Sequence, residues 1–248
     1  MDKLTVLRDY FGYPAFRPGQ EELIDSILSG RDVFGIMPTG GGKSLCYQVP
    51  ALLFPGVTLV VSPLISLMHD QVLALKKAGV PAAYINSTLS LEQMRTVFAN
   101  IRARKYKLVY VAPERLETES FQRLAGDLDM SLLAVDEAHC ISQWGQDFRP
   151  SYLKIPAFIR SLRRRPVVAA FTATATEAVR EDVVRLLELR DPLQEITGFD
   201  RSNLRFAVYS GGKKDAALLR LLDERMDQSG IIYDEAMRKD HIEQAAVG

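Results

Sequence analysis

The chain has 248 residues, 47% hydrophobic and 25% charged, with 31 basic and 31 acidic side chains in formal balance. Those values describe a globular protein and exclude a global electrostatic pull toward nucleic acid or a membrane surface, so any polyanion contact must be a local patch. Two cysteines, Cys46 and Cys140, exclude a disulfide framework and a four-cysteine zinc site; both read as buried small residues in a reducing compartment, cytoplasmic or nuclear rather than secreted.

The chain begins on an amphipathic helix without the apolar core of a signal peptide, and no apolar run approaches bilayer length, so no membrane partner is expected. Strands are then predicted at 32–37, 57–61, 82–85, 107–111, 132–135 and 167–171. Helices fall between them at 18–29, 43–53, 64–78, 89–103, 119–127, 152–164 and 175–188. Strands such as Thr58-Leu59-Val60-Val61 are apolar throughout, which suits a sheet covered on both faces. The alternation implies an α/β fold, a doubly wound parallel sheet with helices on both faces, over 1–198. Residues 199–212 read as a connector. The remainder, 213–248, reads as a helix at 213–227, a short strand at 230–233 and a charged, alanine-rich tail that is helical or frayed.

Two stretches carry chemistry on their residues alone. Met37-Pro38-Thr39-Gly40-Gly41-Gly42-Lys43-Ser44 lies between a predicted strand and a predicted helix, the context of a phosphate-binding loop. Glycines allow positive φ and close backbone approach to an anion, and the helix N-terminus adds free N–H groups. Lys43 would pair with phosphate and Ser44 would hold Mg2+ beside a bound ATP. Met37 departs from the simple pattern, which has glycine there. Ninety residues later the apolar strand 132–135 ends in Asp136-Glu137, two carboxylates at the carboxyl edge of the sheet. Asp136 would hold the metal and Glu137 would orient the attacking water. A solvated turn is the alternative for Asp-Glu alone, and the phosphate loop argues against it. His139 has no second ligand nearby and is not read as a metal site.

In their order these stretches resemble superfamily-two helicases and, within them, RecQ DNA helicases, over about residues 4–233. The resemblance implies a RecA-like ATP-binding lobe. Phe11 to Gln20 is similar to the family's adenine motif, by which Gln20 would read the base with Tyr13 and Arg17 flanking it. The alternative is a Pro-initiated helix start. Ser62 to Gln71 is similar to a motif that faces DNA, with Ser66 at its helix start and His69 where the family has lysine. Ala112 to Leu116 is similar to a further backbone-contact motif, or is simply a capped helix start. Ile141 to Pro150 is similar to the family's aromatic-rich loop, which implies that Trp144, Phe148 and Arg149 meet single-stranded DNA, although Trp144 and Phe148 as core aromatics is the bland alternative. Gln146 stands there in place of histidine. His139, Gln143, Thr172 and Thr174 would couple nucleotide to DNA, or Thr174 or Thr176 merely caps the helix that follows. The basic runs at 102–105 and 163–165 read as solvated helix ends.

The family's second lobe, with its arginine finger, has no counterpart beyond Tyr233. The expectation is therefore one motor lobe of a DNA helicase, 3′ to 5′ by resemblance. It would bind Mg-ATP and single-stranded or partly duplex DNA, would not unwind alone, and would be completed by a second helicase lobe in trans. A non-catalytic nucleotide- or DNA-binding module derived from such a helicase is the alternative. An RNA helicase is disfavoured by the Trp144 loop.

Overall fold

The structure, a computed structural model, describes residues 1–198, 207–208, 214–227 and 229–232. By its contacts the chain divides into Met1–Asp200 and Arg201–Gly248.

The first unit is built on seven parallel strands: β1 Val33–Ile36, β2 Val57–Val61, β3 Ala82–Ile85, β4 Leu108–Val111, β5 Met130–Val135, β6 Val167–Thr172 and β7 Leu193–Ile196. They lie in the order β3-β4-β2-β5-β6-β1-β7. Successive side chains of a strand point to opposite faces. In β5, Leu132 and Ala134 enter one core while Leu133 and Val135 enter the other. That is why this strand has no polar face.

Helices α2 (Gln20–Leu28), α3 (Lys43–Leu53) and α4 (Ile65–Lys77) cover the first face through Leu23, Ile27, Cys46, Tyr47, Met68, Val72 and Leu75. The second face is covered by α5 (Leu91–Arg102), α6 (Glu119–Gly126), α7 (Ile155–Ser161) and α8 (Glu177–Leu186), through Ile101, Phe121, Leu124, Phe158 and Val183. Each fully buried Leu, Ile or Phe contributes about 1.5–3 kcal/mol. α1 (Lys3–Phe11) forms an outer layer, packing Val6 and Leu7 against Ile24 and Val49. Local signals mark several starts: Asp2 caps α1, Ser90 and Gln93 form a reciprocal capping box on α5, and Thr176 caps α8.

All six expected strands and the helices between them are present. β7 was not expected. Its Leu-Gln-Glu-Ile alternates half-buried and exposed because it is an edge strand paired on one side only, to β1. The expected helix 152–164 starts as a 3-10 turn, Pro150–Lys154, and continues as α7. The 163–165 run also differs from expectation. Arg163 is solvated, but Arg165 forms a bidentate pair with buried Asp32, at 2.6 and 3.0 Å.

In the second unit the helix expected at 213–227 is α9, Lys214–Asp223. Gly230–Ile232 form no strand, and Tyr233, the tail 234–248 and most of the connector 199–212 lie outside the described residues. Among the described residues no helix is long and apolar enough to cross a membrane.

Candidate nucleotide and nucleic-acid site

Strands β5, β6 and β1 are neighbours, so the segments leaving their carboxyl ends converge. After β1 the chain turns through 38–42 into α3. Gly41 N donates to Pro38 O at 2.8 Å, and Gly40 and Gly42 take φ of 79° and 81°. At Gly42 the positive φ favours glycine, and a Cβ there would stand 2.3 Å from Gln20 Nε2 and displace that amide. Thr39 and Gly40 form the exposed tip, while Lys43 and Ser44 open the first turn of α3, where backbone N–H groups have no intrahelical acceptor. Met37 is explained by packing. It lies under the loop, 1% exposed, with its Sδ 3.7 Å from Cys46 Sγ, and its N–H donates to Thr172 O.

Lys43 Nζ lies 3.4 Å from Glu137 Oε1. Glu137 has φ 48° and ψ 46°, a left-handed conformation that costs a non-glycine residue about 1 kcal/mol or more and that sets this carboxylate facing the lysine. Its other oxygen is 3.3 Å from His139 Nδ1, which is also 2.7 Å from Thr172 Oγ1. Thr172 donates its hydroxyl hydrogen to Thr174 O, so it accepts from His139 and the imidazole proton is assigned to Nδ1. His139 and Lys43 hold the Glu137 carboxyl below its usual range, keeping it an ionised acceptor.

Asp136 is the opposite case. Burial first, and the neighbouring Glu137 second, push its carboxyl up to about 6, with Lys43 opposing. Its Oδ1 accepts from Glu137 N, and Tyr152, a residue the sequence reading placed only in a helix, donates its hydroxyl to the Asp136 carbonyl at 2.8 Å. Ser62 Oγ is buried beside the Asp136 carboxylate, near enough to help hold its charge, yet outside hydrogen-bonding geometry. The Tyr47 hydroxyl lies close to both Ser44 and Asp136. A buried carboxylate with its charge this poorly compensated, an adjacent orphan hydroxyl and Ser44 nearby form a donor set of hard oxygens that fits a divalent cation such as Mg2+.

The adenine motif differs from expectation in one respect. Gln20 is 1% exposed, its Oε1 accepts from Arg17 N at 2.8 Å, and its Nε2 donates to the Gly41 and Gly42 carbonyls. Arg17 donates to Gly40 O. Gln20 therefore fastens this motif to the phosphate loop, while Tyr13 and Arg17 present exposed side chains beside it.

Following His139, the segment 142–149 projects from the same edge. Trp144 is 77% exposed, which rules out the core reading for this ring; Phe148 is half-buried, and Gln143 and Gln146 are exposed. Arg149 is not the free charge the sequence suggested. It pairs with Asp147 at 2.8 Å and donates to Pro63 O at 3.0 Å, joining this loop to the segment that carries exposed Ser66. Of the coupling residues, His139 and Thr172 are in direct contact, Thr174 enters only through its carbonyl, and Gln143 faces solvent. Thr176 is the cap of α8. The 113–117 segment is a 3-10 turn whose Arg115 donates to Asn86 O. Ser62 and Tyr152 sat in plain view in the sequence. Only the pairing of β2 with β5 shows that the first lies beside Asp136.

A family profile for the DEAD/DEAH box helicases matches residues 17–182. The chain is 48% identical over 237 residues to the ATP-dependent DNA helicase RecQ of Bacillus subtilis, covering 95% of this chain and 40% of the relative. It is 45% identical to that of Haemophilus influenzae, covering 95% and 38%. The helicase domain of Pyrococcus furiosus Hef shares the fold, with a TM-score of 0.59 at 21% identity over 76% of this chain and 39% of that one. The chain thus spans about 40% of the length of these two curated relatives.

Proposed function

Because the chain belongs to the DEAD/DEAH box helicase family, we propose that Met1–Asp200 is the ATP-binding motor lobe of a RecQ-like, ATP-dependent DNA helicase. The observation that carries this is the convergence of Lys43, Asp136, Glu137, His139 and Thr172 at the ends of three adjacent strands. In this reading Thr39 to Ser44 cradle the phosphates, and Lys43 leaves Glu137 for a phosphate oxygen. Ser44 and Asp136 would hold Mg2+, which supplies charge neutralisation between the phosphates. Glu137, kept ionised, accepts a hydrogen bond from the attacking water and orients it. Tyr13 and Arg17 flank the base. Gln20 exchanges its loop carbonyls for the adenine edge, since an amide donates and accepts at once.

Single-stranded or partly duplex DNA is the proposed partner, stacking on Trp144 and Phe148 at roughly 1–3 kcal/mol per base, with Ser66 on the backbone. Unwinding requires a second lobe that closes on the nucleotide, supplied in trans if this chain acts as given. The test is ATP hydrolysis and nucleotide binding by the chain, with and without oligo(dT), beside Lys43→Ala. The expected result is that nucleotide affinity, and any oligo(dT)-stimulated turnover, fall by about two orders of magnitude in the variant, as for removal of a key charged contact. Equal affinity and turnover in the two proteins would overturn the assignment.

A further inference from the structure

The exposed loop 142–149 holds its position through its feet. At the second foot Arg149 N donates to Cys140 O at 2.8 Å, and its guanidinium grips Asp147 and Pro63. At the first foot Ser142 is fully buried. Its hydroxyl accepts from Trp144 N at 3.1 Å and donates to Asp182 Oδ2, on α8, at 2.7 Å. Between them the chain turns tightly over the His139 segment: Gly145 N donates to Ser142 O, and a Cβ at 145 would meet His139 O at 2.4 Å. Asp182 is itself oriented by Arg185 one turn along α8, and its side chain is only 14% exposed.

We infer that Asp182 is a positioning residue for Trp144, fixing through the Ser142 hydroxyl the backbone from which the indole projects. An ionised acceptor makes a short, strong bond with a hydroxyl and polarises it, so Ser142 in turn accepts more strongly from Trp144 N. α8 is the right element for this task because its cap, Thr176, follows directly on Thr172 and Thr174, and Thr172 holds His139. A displacement of α8 therefore reaches Glu137 through Thr172 and His139, and reaches Trp144 through Ser142. That the indole meets nucleic acid rests on the function proposed above; its positioning by Asp182 does not.

Trp144 is the chain's single tryptophan, so intrinsic fluorescence reports on it without a label. Anisotropy of Trp144 would be measured in the full chain for Asp182→Ala, Asp182→Asn, Ser142→Ala and the Asp182→Ala/Ser142→Ala double variant. Circular dichroism would check folding, with oligo(dT) and Mg-ADP affinities alongside. Expected are lower anisotropy in both alanine variants, no further loss in the double variant, and rescue in Asp182→Asn, which keeps a carbonyl acceptor. Oligo(dT) affinity falls about fivefold, the equivalent of roughly 1 kcal/mol for one hydrogen bond, while Mg-ADP affinity stays unchanged. A folded Asp182→Ala with wild-type anisotropy, or losses that simply add in the double variant, would overturn the inference. If Asp182→Ala does not fold, Ser142→Ala and Asp182→Asn decide it in the same way. Unchanged oligo(dT) affinity in Trp144→Ala would remove the nucleic-acid reading alone, and the anisotropy would still decide the positioning.

Discussion

Asp32 enters β1 at one edge of the sheet, and Asp136 leaves β5 at the other. Both are buried, at 2% and 7% exposure. Asp32 receives both guanidinium nitrogens of Arg165 and the backbone N–H groups of Val168 and Arg190, so its charge is fully paired and four bonds tie β1, β6 and the 188–190 turn together. Asp136 has one backbone donor and a lysine that faces its neighbour instead, and its carboxyl rises to about 6. The same residue type at the same depth serves the fold at one edge and is held ready for a ligand at the other. Burial alone does not tell the two roles apart; the completeness of the partners does.

Substitution separates the two roles further, because the two aspartates respond with opposite signs. Asp32→Ala leaves Arg165 without its partner and should cost about 3–5 kcal/mol, lowering Tm by about 10 °C. Asp136→Asn should do the reverse in metal-free protein at pH 7.5. A carboxyl raised in the fold stabilises below its ordinary value and loses that contribution as pH rises through about 6. The asparagine variant therefore melts a few degrees higher at pH 7.5, and the gap closes as pH falls through 6 toward 4. A lower melting point at pH 7.5 would show that the Asp136 charge is compensated after all. The smallest expected effect belongs to Gly42→Ala. Its φ of 81° and the nearby Gln20 amide should cost about 1–2 kcal/mol in thermal melts. Nucleotide affinity should fall with it, because Gln20 and the loop share the displaced bonds.

Much of this was legible in the sequence because a parallel sheet buried on both faces leaves continuous apolar runs, and because Gly40 to Ser44 and Asp136-Glu137 have few other uses beside each other. What escaped has physical reasons. β7 is an edge strand whose Leu-Gln-Glu-Ile puts one apolar and one polar residue on each face, so its pattern is weak. The Arg165–Asp32 pair joins residues 133 positions apart, and no local rule sees it. The exposure of Trp144 is consistent with the Gly145, Gln143, Gln146 and Asp147 that surround it, residue types that rarely enclose a buried ring. The pairing of Arg149 with Asp147 and Pro63 depended on how the loop bends back on the end of β2.

The register of β1 has a consequence for how the chain acquires its shape. Its two neighbours are β6 and β7, so Val33 finds Ala169 on one side and Leu193 on the other. The strand that leads into the phosphate loop is among the first made and the last to be hydrogen-bonded. At roughly 5–20 residues per second of synthesis, it waits about 7–27 s with both edges open until β6 is made. Throughout that interval Val33 to Ile36 is an apolar segment in search of a partner, and a pause or early stop before residue 167 would release a chain whose nucleotide loop has no sheet to stand on.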